Sequence, residues 1–223
     1  ILITSNPFIA FLPLTIDIYL TYFHHLRAPS LSILTADLYE LRKIILLKLL
    51  SLNRRLWFLT VSHSTAESIR KYAIFKTKCF VRYNPLPFTA SQLDLGSRMK
   101  DNFSDKLSKQ EPIKFIFVAR YCKRKCFPRL VEYLHHCYIS SIPFAAVLVT
   151  NSAGKKILTR LISKSPIAFI RSIRILTNVT DAQLVELYNQ ARCLICTSDT
   201  EGFYMPLFEA IKYDCIPIVP RIN

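Results

Sequence analysis

The sequence predicts an α/β protein of two domains, each a parallel sheet wrapped by helices, and three observations predict it. From Lys114 to the end, short apolar runs alternate with helix-length stretches, the pattern left by buried parallel strands and their crossover helices. The same alternation, less regular, runs from Ile18 to Tyr83. Between the two, Asn84-Pro85-Leu86-Pro87 stops regular structure and residues 89–112 are polar, charged and rich in Ser, Asp and Lys, as a boundary should be. The expected division is therefore a partial first domain over 1–87, a linker over 88–112 and a second domain over 113–223.

In chain order, Ile18 to Phe23 is the first expected strand and runs into His24-His25. Residues 1–23 are apolar, but Asn6, Pro7, Pro13 and Asp17 interrupt them and no basic region precedes them, so they read as strand and loop rather than a membrane span. Leu38 to Leu52 is a strongly apolar helix, and Leu56 to Val61 a second strand. Ser64, with Glu67 three residues on, signals a capping box that would start a helix over Thr65 to Tyr72. Cys79 to Tyr83 closes the first half as a strand. In the second half the expected strands are Phe115 to Ala119, Ala145 to Thr150, Cys193 to Thr197 and Ile216 to Val219. Helices are expected over Arg129 to Tyr138 and Lys155 to Ser163. Leu184, Leu187, Tyr188 and Ala191 recur at i, i+3, i+4 and i+7, an apolar stripe on a helix that Thr180 and Asp181 would cap. The chain opens at Ile1 and stops just past an apolar run, so elements are expected to be missing at both ends.

Composition narrows the function. Of 223 residues, 30 are Lys or Arg against 15 Asp or Glu, a formal charge of +15. The excess is spread over both halves, with no single basic arm. Such a chain attracts anions: nucleotide diphosphates, anionic lipid or nucleic acid. No RNP-like or helix-turn-helix pattern organises the basic residues, which argues against nucleic acid. Only three glycines are present, where average usage would give about 16, and neither a P-loop nor a dinucleotide fingerprint occurs. Seven scattered cysteines fit a reducing compartment and no disulfide framework.

One stretch concentrates chemistry, Thr197-Ser198-Asp199-Thr200-Glu201-Gly202-Phe203-Tyr204-Met205-Pro206-Leu207-Phe208-Glu209-Ala210. It lies at the carboxyl end of an expected strand, where open α/β sheets bind ligands, and runs into a helix that Pro206 can open. Amides near Phe203 to Met205 and the helix N-terminus would offer donors and partial positive charge to a phosphate. Gly202 permits close approach or a positive φ. Glu201 and Glu209 would accept hydrogen bonds from sugar or ribose hydroxyls; the blander alternative is a capping Glu201 and a solvated Glu209.

The spacing Glu-Gly-Phe-x-x-Pro-x-x-Glu-Ala, followed by Cys215-Ile216-Pro217-Ile218-Val219, resembles the donor-site signature of retaining glycosyltransferases of the GT-B fold, the family four or group 1 enzymes. Phe117-Val118-Ala119-Arg120 with Lys125 resembles that family's element for the donor diphosphate, and Asn178-Val179-Thr180 the segment preceding the signature. Leu59 to Ser62, Ser64-Thr65 and Tyr83-Asn84-Pro85 resemble, more loosely, the end of its acceptor domain. The resemblance implies two Rossmann-like parallel-sheet domains, the first incomplete and the second truncated here. It implies that Glu209 holds the nucleotide ribose, that Glu201 contacts the transferred sugar, and that the backbone of Gly202, Phe203 and Tyr204 receives the diphosphate. Arg120 and Lys125 would offset its charge, so that no metal or other cofactor is needed. His24 would match an acceptor-side catalytic histidine, with His25 an equally legal choice. Ala119, Cys126, Tyr204 and Asp214 depart from the family by standing where glycines are expected, and the turn after Thr150 is Asn151-Ser152-Ala153-Gly154. They point to a divergent donor site.

Other groupings carry less. Cys122, Cys126, His135, His136 and Cys137 suggest zinc, but they sit among Lys and Arg and partly on a helix. Cys193 and Cys196, three apart on a strand, read as buried structural residues, and His63 as a neighbour of a helix cap. The expected function is hexose transfer from a nucleotide diphosphate sugar to a glycan or lipid-linked acceptor. The expected location is the cytoplasm; the Leu38 to Leu52 helix with its flanking Arg42-Lys43 and Arg54-Arg55 reads first as having plain solvated ends, with contact to an anionic membrane face as the alternative. The alternative is a catalytically silent relative that binds a nucleotide or a protein partner.

Overall fold

The structure is a computed structural model and describes residues 2–4, 19–23, 38–52, 56–85, 111–199 and 201–220. By their contacts the described residues separate into two compact units, the first reaching Pro85 and also including Glu201–Phe203, the second holding the remainder. His24, His25 and the stretch 86–110 lie outside the described residues.

The first unit is a parallel sheet of β1 (Leu2–Thr4), β2 (Tyr19–Phe23), β3 (Leu56–Thr60) and β4 (Lys78–Val81), in that order. Helices α1 (Leu38–Leu50) and α2 (His63–Tyr72) connect its strands. Its core joins Ile44, Leu47 and Leu50 of α1 to Leu56, Phe58 and Ile69. The opposite side of α1 leaves Ile45 and Leu49 exposed. The capping box expected at Ser64 is not the helix start. Ser62 is the N-cap, its hydroxyl accepting from Thr65 N–H, and Ser64 lies in the first turn. Only Ser64 meets the capping-box spacing, with Glu67, but Ser62 has the extended backbone a cap requires.

In the second unit five parallel strands take the order β7-β6-β5-β8-β9. They are β5 (Ile113–Val118), β6 (Phe144–Val149), β7 (Ile173–Leu176), β8 (Cys193–Ile195) and β9 (Ile216–Ile218). The connections carry a 3-10 turn (Lys123–Lys125), α3 (Phe127–Ile139), α4 (Ser152–Ile162), α5 (Ile167–Arg171), α6 (Asp181–Gln190) and α7 (Met205–Lys212). Side chains on β5 alternate between two cores. Phe115 and Phe117 join Leu130, Leu134, Leu148 and Phe169 on one face, while Ile116 joins Tyr188, Leu194, Ala210 and Cys215 on the other. Both faces are thus covered, as an all-parallel sheet requires.

The expected elements are present with ends shifted by a few residues, and three strands or α-helices were not expected: the edge strands β1 and β7, and α5. Thr180 caps α6 in a full capping box with Gln183, so of the two candidates Thr180 is the cap. From β5 the chain winds outward through β6 to β7, then crosses to β8 and β9 on the other side. The order therefore reverses between β5 and β8, and their carboxyl ends open the crevice where such sheets bind ligands. Among the described residues no helix is long and apolar enough to cross a membrane.

Candidate functional site

At the carboxyl ends of β5, β6 and β7 the second unit has a cavity of about 710 Å3. Val118, Val149, Val179 and Leu184 make its apolar wall, and Asn151, Asn178 and Thr150 add polar groups. Three cations line it: Arg120, Arg124 and Lys125. Arg120 is exposed, whereas Lys125 keeps only 9% of its surface. Buried cations of this kind need anions or other compensation nearby.

The turn bearing these cations is fastened to the loop after β8. Thr197 Oγ1 donates to Lys125 O at 2.8 Å, and Asp199 N–H donates to Arg124 O at 2.8 Å. Arg129, on the first turn of α3, donates from Nη1 to Thr197 O at 3.0 Å and pairs through Nη2 with Asp199 at 2.9 Å. On the opposite side, Asn151 Oδ1 caps α4 by accepting from Gly154 N–H at 3.1 Å and also accepts from Tyr121 N–H at 3.0 Å. The cavity is thus framed by loops tied to one another. Gly154 is needed for a packing reason, because a β-carbon there would run into the Thr150 side chain. Thr150 Oγ1 itself is buried and finds no hydrogen-bond partner among the described residues.

Tyr204, at the start of α7, is buried, and its hydroxyl donates to Val118 O at 3.2 Å. Its ring lies under Lys125, with Nζ 4.5 Å from the ring centre. Glu209, one turn into α7, accepts a 2.8 Å hydrogen bond from the hydroxyl of Tyr188 on α6. Burial first, and then the Glu209 carboxylate, hold the Tyr188 phenol well above the usual tyrosine range. That phenol therefore remains a donor to Glu209.

Of the residues singled out in the sequence, Arg120 and Lys125 meet at the cavity, Tyr204 joins Lys125, and Glu209 sits on the same helix as Tyr204. Glu201, Gly202 and Phe203 are half-buried and are grouped by their contacts with the first unit. Gly202 does not take a positive φ; among the described residues no glycine does. His24 lies outside the described residues. Cys193 and Cys196 are buried thiols outside any disulfide, and no cluster of three or more His, Cys, Asp or Glu among the described residues could hold a metal. Sequence reasoning missed Arg124, hidden in a Lys-Arg-Lys run, and Tyr188, which reads as one more apolar residue of its helix.

Several solved structures resemble the chain. Anabaena HepE in complex with UDP and glucose is 16% identical, with a TM-score of 0.61 over 92% of this chain and 53% of that one. Sucrose-phosphate synthase from Thermosynechococcus elongatus is 15% identical, with a TM-score of 0.63 over 92% of this chain and 50% of that one. A UDP-forming alpha,alpha-trehalose-phosphate synthase from Burkholderia xenovorans is 10% identical, with a TM-score of 0.62 over 91% and 53%. At such identities the likeness establishes the fold, which is the GT-B class expected from the sequence, and the chain spans about half the length of these structures. No curated protein sequence matches it. The sequence profile of the family described as glycosyl transferases group 1 matches residues 99–222, more than half of the chain, and the chain belongs to that family.

Proposed function

We propose that this chain carries the donor site of a retaining glycosyltransferase that moves a hexose from a nucleoside diphosphate sugar to a glycan or lipid-linked acceptor. The observation that carries this reading is the cavity at the carboxyl ends of the parallel strands β5, β6 and β7, lined by Arg120, Arg124 and Lys125. As the glycosidic bond to the donor breaks, negative charge grows on the departing diphosphate. The Thr197 and Asp199 contacts hold the backbone of the turn that carries Arg124 and Lys125, and cations placed in advance in this way stabilise such charge by commonly about 3 kcal/mol for one group. They take the place a divalent metal would have. Glu209, oriented by Tyr188, accepts from the ribose hydroxyls, and the apolar wall of Val149, Val179 and Leu184 receives the base. The resemblance alone assigns Glu201 to the transferred sugar, the backbone of Gly202 and Phe203 to the diphosphate, and His24 to the acceptor side.

This assignment treats 1–87 as the acceptor-side domain and 113–223 as the donor domain. It places the protein in the cytoplasm, with Ile45, Leu49 and Lys48 of α1, all exposed, available to an anionic membrane face. A silent relative that binds nucleotide without chemistry is the second reading, favoured by the four side chains that replace expected glycines.

UDP-glucose labelled in the sugar separates the two. The parent protein is expected to release labelled glucose to water or transfer it to acceptor, and Glu201→Gln and Glu209→Gln each to lose turnover at least a hundredfold while remaining folded by circular dichroism. Full turnover in both variants refutes the catalytic assignment. Binding of the donor with no release from the parent favours the silent reading.

A further inference from the structure

Tyr204 stands where the family pattern has glycine, and its side chain would be expected to obstruct a diphosphate. Its position says otherwise. Lys125, Arg120, Arg124 and Pro206 line the cavity, and Tyr204 is not among the lining residues. The ring lies behind the Lys125 ammonium, 4.5 Å from it, so Lys125 is layered between the ring and the cavity. The hydroxyl explains why the ring stays there. Lys114 O on β5 accepts from Arg192 N–H, on the β8 side of the sheet. By the two-residue alternation of a strand, Val118 O faces the same side, past the last β5–β8 pair, Ile116 with Leu194. The Tyr204 hydroxyl donates to that carbonyl at 3.2 Å, which ties the ring to the end of β5.

We propose that Tyr204 is a positioning residue that moors Lys125 for the donor diphosphate, an inference that rests on the function proposed above. Three cations around one cavity repel each other, and a contact that holds one of them in place counters that repulsion. The aromatic face attracts the ammonium from the side away from the cavity. The side chain thus supplies a donor geometry in place of the close backbone approach that a glycine would give.

The test compares the parent with Tyr204→Leu, which keeps bulk but removes the π face, and Tyr204→Phe, which keeps the face. Two readouts are taken on the full chain: calorimetric affinity for UDP and for uridine, and the rate of Lys125 acylation by acetic anhydride, read by mass spectrometry. Tyr204→Leu is expected to weaken UDP binding about tenfold, to leave uridine binding unchanged, and to speed Lys125 acylation severalfold. Tyr204→Phe is expected to rescue both to within about threefold. Equal weakening for UDP and uridine would reduce Tyr204 to a packing role, and tighter UDP binding in Tyr204→Leu would make it an obstacle; either overturns the proposal. Unchanged acylation overturns it whatever the nucleotide does. If the parent binds no UDP yet acylation rises in Tyr204→Leu, the mooring stands and the donor-site reading fails instead.

Discussion

Cys126 and Asp214 both keep the left-handed backbone that glycine would adopt, with φ of 47° and 53°. Cys126 holds it between the 3-10 turn and α3, and Asp214 holds it just past α7. A β-carbon in that region costs roughly 1–2 kcal/mol for ordinary residues, offset by about 0.5–1 kcal/mol of extra chain entropy that glycine loses on folding. Aspartate tolerates the conformation better than most residues. Cys126→Gly is therefore expected to raise stability by about 0.5–1 kcal/mol in urea unfolding, and Asp214→Gly by less. Destabilisation by Cys126→Gly would mean that the thiol makes a contact worth more than the strain. The two residues also show that losing a glycine from the pattern did not lose the turn, so half of the departures from the family leave the local backbone conformation in place. Arg124 illustrates the reverse limit: within Lys123-Arg124-Lys125 nothing in the letters says that 124 and 125 line the cavity while Lys123 is exposed.

Helices α6 and α7 are joined by the Tyr188–Glu209 hydrogen bond, and that link has a pH signature. The folded protein holds the Tyr188 proton to a higher pH than the unfolded chain does. Above about pH 10, the ordinary tyrosine value, only the unfolded state releases it, so stability is full below that pH and falls as pH rises further. Chemical denaturation between pH 8 and 11 should show this alkaline decline in the parent and a shallower one in Tyr188→Phe; parallel declines would remove Tyr188 as its source. At this scale the sequence was most readable where periodicity was long. The α6 stripe and the apolar strands β5 and β6 declared themselves through spacing and burial. β7 did not, because its four residues lie at the sheet edge, only half-buried, with Arg174 exposed. α5 has five residues, too few to show a helical period, and the Ser64–Glu67 spacing masked Ser62, the serine whose extended backbone makes it the cap.

The whole chain carries +15, and its meaning depends on where that charge acts. A diffuse excess pulls in any polyanion, whereas three cations gathered in one cavity beside an apolar wall suit the small nucleoside diphosphate proposed above. The motif at 201–210 was legible because its letters lie in fixed register, but the cavity was not, since it is assembled from Arg120, Thr150, Asn178 and Leu184, residues far apart in sequence. Salt separates the two uses of charge. Long-range attraction is screened within about 8 Å at physiological ionic strength, while direct contacts inside the cavity are screened less. UDP affinity is therefore expected to fall by less than about tenfold between 50 and 200 mM salt. Random duplex DNA, if bound through six or more phosphates, should lose about a thousandfold over the same range. Measuring both by fluorescence competition gives the decisive ratio. A UDP affinity as steep in salt as that of duplex would place the nucleotide on the diffuse surface field and empty the cavity of its proposed ligand.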